Sequence, residues 1–316
     1  MARILTLTLN PALDLTVEIG DLALGEVNRS EGLHRHAAGK GLNVAQVLAD
    51  LGHELTVAGF LGDANPQPFE ALFAQRGFVD AFIRVPGETR SNIKLAERNG
   101  RVTDLNGPGP VVDDQAQAAL LARLEVIAPG HDAVVVAGSL PRGVTPEWLQ
   151  GVLERLGQMG LKVALDTSGA ALRAGLQTAP WLIKPNTHEL GEVLGTSVET
   201  PAEQAAAARR LLADGVGNVV ISQGEKGVNW FASGLALQAM PPTVDIASTV
   251  GAGDSLLAGM VHGLLQASGP EQSLRTATAI AAMAVTQIGF GINDVAQLAR
   301  LESGVCVRPL PEQQEG

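Results

Sequence analysis

The stretch Ser248-Thr-Val-Gly-Ala-Gly-Asp254 combines small residues with a carboxylate where a polar loop meets an apolar run, 255–265. Gly251, Ala252 and Gly253 leave room for backbone N–H groups to converge on an anion. The helix expected behind them adds unsatisfied N–H groups and the positive end of its dipole. Asp254 then has two readings. It is an ordinary helix first-turn carboxylate, or it is a general base beside an anion hole, as transfer to a hydroxyl requires.

Four further motifs offer ligand chemistry. Ala38-Gly39-Lys40-Gly41-Leu42-Asn43 opens a helical pattern. Its glycines permit close backbone approach, and Asn43 supplies a donor and an acceptor on the first turn. Neither a Walker A spacing nor a dinucleotide fingerprint is present. Ser222-Gln-Gly-Glu-Lys-Gly227 follows an apolar strand, which is where α/β sheets bind ligands, although taken alone a plain strand-to-strand turn explains it better. Lys184-Pro-Asn-Thr-His-Glu189 also follows a strand. Asn186 and Glu189 have capping-box spacing, or they form a polar pair near a metal–phosphate complex. Asn10-Pro-Ala-Leu-Asp14 places a carboxylate just after the first strand, where it can accept from sugar hydroxyls or simply face solvent.

The elements that must position these motifs read as α/β. Short apolar runs at 4–9, 55–61, 133–138, 162–166, 181–184 and 219–222 alternate with helical patterns at 42–51, 66–76, 114–127, 146–159 and 201–214. This is the rhythm of a parallel sheet with helices on both faces. Helical runs at 252–267 and 271–288 follow. Two segments break the rhythm. One joins 13–19 to 28–36 without a helix. The other, 81–85, 92–97 and 102–106, reads as an antiparallel meander with turns at Pro86-Gly87 and Asn99-Gly100. Together they are expected to form one small sheet, a lid inserted into the body at about 12–37 and 80–107. The polar tail after Pro309 is expected to fray.

Composition narrows the function class. The 316 residues carry 22 Lys+Arg against 33 Asp+Glu, a net charge of −11. With 3% aromatics and no tyrosine, the chain lacks both the basic face and the stacking platform that nucleic acids need. No apolar run is long enough to span a bilayer, and one cysteine, Cys306, cannot form an internal disulfide. The expectation is a cytoplasmic protein with no nucleic-acid or membrane partner. The six histidines have no metal-ligand spacing.

Taken in order, the five motifs resemble those of the ribokinase-like (PfkB) sugar kinases over nearly the whole chain. Within that family the chain is most similar to the branch that phosphorylates fructose 1-phosphate. The residues that suggest this include Leu7-Thr-Leu-Asn-Pro-Ala-Leu-Asp14, Gly25-Glu-Val-Asn-Arg29, Thr89-Arg90 with Asn92, and Gly138-Ser-Leu-Pro141. Tagatose 6-phosphate and fructose 6-phosphate kinases share much of this pattern. A non-catalytic sugar-phosphate sensor is the reading from another class. Asp254 together with an intact Gly251-Ala-Gly253 weighs against it.

The resemblance implies a three-layer αβα sandwich with a mainly parallel sheet and a β-sheet lid, a homodimer paired through that lid, and ATP with Mg²⁺. It implies that Asp254 takes the proton from the C6 hydroxyl of fructose 1-phosphate as that oxygen attacks the γ-phosphorus of ATP. An Asp of pKa about 4 is a weak base for an alcohol, so positioning and charge stabilisation supply most of the acceleration. Backbone N–H groups of Gly251, Ala252 and Gly253 bind the developing charge. Lys184, Ser222, Gly224, Gly227, Ser248 and Thr249 line the nucleotide side, with Asn186 and Glu189 supporting the metal through water. Asp14, Gly39 and Asn43 hold sugar hydroxyls, Ser139 reaches the sugar, and Lys40 assists or faces solvent. Arg29 and Arg90 are the candidates for the sugar's own phosphate, since Arg offers a bidentate fork. Two departures from the family pattern stand out: Ala38 replaces the common Gly, and Ser248 stands where Asp is frequent. The acidic chain is thus expected to hold a small positive cleft in an acidic shell.

Overall fold

The computed structural model describes residues 1–310; the remainder of the tail expected to fray, 311–316, lies outside the described residues. The chain opens with β1 (Arg3–Thr8), β2 (Ala12–Ile19), β3 (Ser30–Ala38), α1 (Lys40–Asp50), β4 (Glu54–Gly62) and α2 (Gln67–Arg76). It continues through β5 (Val79–Asp80), β6 (Ile83–Val85), β7 (Ser91–Glu97), β8 (Val102–Asn106), α3 (Asp114–Ile127), β9 (Ala133–Ala137), α4 (Pro146–Gln158) and β10 (Lys162–Asp166). Then come α5 (Gly169–Leu176), β11 (Leu182–Ile183), α6 (Thr187–Leu194), α7 (Pro201–Ala213), β12 (Asn218–Ser222), β13 (Val228–Ala232) and β14 (Leu235–Met240). Helices α8 (Ala252–Gln266), α9 (Pro270–Val285) and α10 (Val295–Gly304) and strand β15 (Cys306–Pro309) complete it.

The main sheet has the order β15-β14-β13-β12-β11-β10-β9-β1-β4-β5, with β6 also on β4. Pairing is parallel from β12 to the β4 edge and antiparallel from β12 to β15. Side-chain alternation explains why both faces are covered. Leu5, Leu7, Val134 and Val136 enter one core with Leu124 of α3, Leu153 of α4 and Leu211 of α7. Ile4, Val135 and Ala137 enter the other with Leu48 of α1, Phe69 of α2, Leu257 of α8 and Ile280 of α9. Each such Leu contributes about 2 kcal/mol by leaving water.

The small sheet has the order β3-β2-β7-β8. It draws on both excursions, as expected, with one correction: Ile83–Val85 does not join it. That strand pairs parallel with Phe60–Gly62 of β4, on the main sheet. Its Val85 packs into the core beside Phe60, so burial outweighs the turn signal at Pro86-Gly87. No element was expected between 288 and the tail. Cys306–Pro309 pairs antiparallel with Leu237–Met240 of β14, and Leu310 N–H still donates to Ala236 O.

Candidate active site

The chemistry-bearing residues gather at the carboxyl ends of the parallel strands, where helices α1 and α8 also begin. Gly39 precedes α1 at φ 142°, and a Cβ there would lie 2.6 Å from Thr8 Cγ2. Only glycine lets α1 start this close to the end of β1. The packing of α1 beside α8 brings Asn43 to Asp254, and Asn43 Nδ2 donates to Asp254 Oδ2 at 2.7 Å. Gly251 caps α8 in the left-handed region at φ 82°. A Cβ on it would meet the Phe290 ring at 2.5 Å. The first-turn amides of α8 therefore point outward with no helical partner.

These groups face a cavity of about 400 Å³. Its floor includes Gly39, Lys40, Asn43, Lys184, Asn186, Glu189, Ser222, Gly251, Gly253 and Asp254. Ala12, Asp14, Ala38, Arg90, Asn92 and Lys94 form the wall on the small-sheet side. The Ala38 methyl, one of the two departures, is thus part of that wall.

Electrostatics at the floor are governed by a residue the sequence reading passed over. Asp166 ends β10 with a side chain only 1% exposed, and it sits 3.4 Å from both Lys40 Nζ and Lys184 Nζ. Burial pushes the Asp254 carboxyl up to about 6, and the Asp166 charge adds to this; the Asn43 hydrogen bond, Lys40 and Lys184 pull the other way. Asp254 is therefore a stronger base than an ordinary aspartate, yet still mostly ionised at neutral pH. Burial opposes the Lys40 ammonium, but Asp166, then Asp254 and Glu189, hold its pKa above the usual lysine value. Lys40 thus faces the floor carboxylates as well as the cleft.

The family model for pfkB carbohydrate kinases matches residues 7–296. The chain belongs to the pfkB family of carbohydrate kinases. This pfkB kinase is 46% identical over 308 residues to 1-phosphofructokinase of Vibrio cholerae, spanning 98% of this chain and 97% of that one. It is 44% identical over 299 residues to 1-phosphofructokinase of Haemophilus influenzae, spanning 94% and 96%. A crystal structure of phosphofructokinase-2 from Escherichia coli in complex with fructose-6-phosphate superposes with a TM-score of 0.87 at 26% identity, covering 96% and 99%.

Within this pfkB kinase the expected site residues fall into two groups. Asp14, Gly39, Lys40, Asn43, Arg90, Lys184, Asn186, Glu189, Ser222, Gly251, Gly253 and Asp254 line one cavity. Arg29, Ser139, Gly224, Gly227, Ser248, Thr249 and Ala252 do not line it. Arg29 is the clearest departure. It lies on the exposed connection between β2 and β3 and makes no ion pair or side-chain hydrogen bond among the described residues. Arg90, by contrast, is turned inward, its guanidinium donating to Pro11 O and Asn10 O. Burial lowers its pKa, with Asp14 opposing. Ser139 is exposed and accepts from Asn10 Nδ2 at 3.1 Å. Gly224 and Gly227 close the hairpin turn between β12 and β13, leaving Ser222 as that loop's cavity residue. Ser248 accepts from Val250 N–H within its own loop, and Thr249 is exposed.

Asn186 and Glu189 do form the capping box: Asn186 Oδ1 accepts from Glu189 N–H, and Glu189 Oε2 accepts from Asn186 N–H. They also line the cavity, so the two readings of this pair are compatible. Asp166 and Lys94 were missed, and Asn92 entered only as part of the resemblance, without a site role. Asp166 ends an apolar strand, and that was its only signal. Asn92 and Lys94 alternate along β7 and each bond Asp14, at 3.0 Å and 3.3 Å.

Proposed function

We propose that this chain transfers the γ-phosphoryl group of ATP to the C6 hydroxyl of fructose 1-phosphate, giving fructose 1,6-bisphosphate and ADP. The observation that carries this reading is Asp254: a buried carboxylate with a raised pKa, held by Asn43 within the first turn of α8. A base placed there removes the hydroxyl proton beside amides that receive the transferring group's charge. The names of the relatives support fructose 1-phosphate as acceptor. A sensor would have no use for a charged carboxylate kept buried at a cost in stability.

The remaining residues divide the labour. Asp14 and Asn43 orient the sugar by hydrogen bonds, and Arg90 meets its phosphate. Gly251 and Gly253 expose α8 amides toward the transferred phosphoryl group. Lys184, beside Gly253, and Ser222 face the nucleotide; a Cβ on Gly253 would lie 3.3 Å from Lys184 Nζ.

The donor set fits a magnesium ion in a limited way. Glu189 and Asn186 offer oxygen ligands, and no cluster of three acidic, His or Cys ligands exists among the described residues. This suits an ion held chiefly by phosphates and water with one or two protein oxygens. When bound, such an ion would neutralise phosphate charge. We place the enzyme in the cytoplasm, where ATP and sugar phosphates are available to it.

The small sheet is read as a lid and a pairing surface. Cross-strand partners share a face, so Leu15, Val17, Leu33, Ile93, Leu95 and Leu105 line the side opposite Asp14 and Asn92. Leu33 is 59% and Leu105 53% exposed. A second copy covering this face forms the homodimer, and light scattering of a Leu33→Lys, Leu105→Lys variant should report a monomer.

Product identity tests the reaction. ³¹P NMR of a mixture of enzyme, ATP and fructose 1-phosphate should show phosphate esters at both C1 and C6. A product lacking the C6 ester would rule the assignment out.

A further inference from the structure

A doubly charged acceptor needs cations, and the cleft's cations are divided between floor and wall. Lys40 and Lys184 share the buried Asp166 at the floor. Arg29 lies outside the cavity wall; Arg90 lies on it, with two of its five guanidinium donors used by the carbonyls of Asn10 and Pro11 and the rest left for a phosphate. Lys94 is the other cation on the small-sheet wall.

Its placement follows from strand register. β2 and β7 pair in parallel with Asp14 opposite Asn92 and Thr16 opposite Lys94, so all four side chains share the cleft-facing side. The two oxygens of Asp14 divide between the neighbours: Oδ1 accepts from Asn92 Nδ2 and Oδ2 from Lys94 Nζ. The Asp14 side chain is 15% and the Lys94 side chain 21% exposed, so solvent screening is reduced without full desolvation. One of three ammonium donors is used by Asp14, leaving two for an anion. Asn92 Oδ1 is buried and has no partner, an acceptor left open on the same wall.

We infer that Lys94 joins Arg90 in reading the phosphate of the acceptor sugar, with Asp14 holding its ammonium in place and Asn92 Oδ1 accepting from a sugar hydroxyl. This rests on the reading that the cleft binds a phosphorylated ketose. Lys94 is then a specificity determinant: it sets the preference for the phosphorylated acceptor over the free sugar. Asp14 alone would favour the neutral sugar, because its bare carboxylate repels a phosphate.

Steady-state kinetics of the full chain test this with fructose 1-phosphate, fructose and ATP varied in turn. Lys94→Met should raise KM for fructose 1-phosphate at least tenfold and leave KM for ATP within twofold. Its preference for fructose 1-phosphate over fructose should fall by a similar factor. Lys94→Arg should recover most of the preference, and Lys94→Gln, which keeps a donor toward Asp14 without the charge, should not. An unchanged KM in both Lys94→Met and Lys94→Gln would overturn the inference, as would an equal rise in KM for ATP. The wild-type enzyme separates this from the underlying reading: if it fails to phosphorylate fructose 1-phosphate, the reading of the site fails. If it succeeds while the variants behave as wild type, only the role of Lys94 fails.

Discussion

Replacing Asp254 by asparagine should make the protein more stable while removing its activity. The buried carboxyl has its pKa raised from 3.8 to about 6, first by desolvation and then by the Asp166 charge. At about 1.4 kcal/mol per pH unit, keeping it ionised costs the folded state about 3 kcal/mol at pH 7.5. An amide of the same shape avoids that cost, and its oxygen can still accept from Asn43 Nδ2. The sign is fixed by linkage. The folded pKa lies above the unfolded one, so the folded state binds the proton more tightly between pH 4 and 6. Wild-type stability from this group therefore falls as pH rises through that window. The variant's advantage should be full at pH 7.5 and reduced by about half at pH 5. Urea unfolding at both pH values measures it, alongside kcat, which should drop by about 10²–10⁴. A variant no more stable at pH 7.5, or an advantage that does not shrink at pH 5, would refute burial as the source of the strengthened base.

Other substitutions probe the remaining parts. Arg90→Ala should raise KM for fructose 1-phosphate far more than KM for ATP; equal changes would indicate a general defect of the small sheet. Gly251→Ala forces a methyl into the left-handed region and against Phe290, displacing the α8 amides. A kcat loss of about 10²–10³ is expected, and wild-type turnover would contradict the amide role. His53 is buried, accepts from Ala2 N–H and lies 2.9 Å from His262. Burial, then the charge of His262, lowers its pKa from 6.5 to about 4. Its contribution is complete above pH 6.5 and is lost as pH falls toward 4. His53→Gln should flatten that loss in thermal melts; an identical acid slope would remove His53 as its source.

Much of the site could be read from sequence because its parts are local. Gly39 and Gly251 sit in short motifs that announce a helix start, and Asp254 and Asn43 lie within four residues of them. Asn99-Gly100 fixed the β7–β8 hairpin by turn chemistry alone. What escaped depends on register between distant segments. Asp166 meets Lys40 and Lys184 only because β10 lies between β9 and β11 in the sheet. Lys94 reaches Asp14, 80 positions away in sequence, only through the parallel β2–β7 pairing. Arg29 looked as suitable as Arg90, and nothing in either residue's neighbours reveals which of them the backbone turns inward. Short elements were also hidden. Helix α5 has no side-chain cap bond at Ser168, and β15 is four residues of a segment for which no element was expected.

The central claim is that Asp254 and the α8 amides serve a phosphoryl transfer to fructose 1-phosphate. Coupled ADP-release rates with fructose 1-phosphate, fructose 6-phosphate and tagatose 6-phosphate, each with ATP, test it most directly. The account predicts the highest kcat/KM for fructose 1-phosphate by at least tenfold. A higher kcat/KM for either 6-phosphate would contradict it.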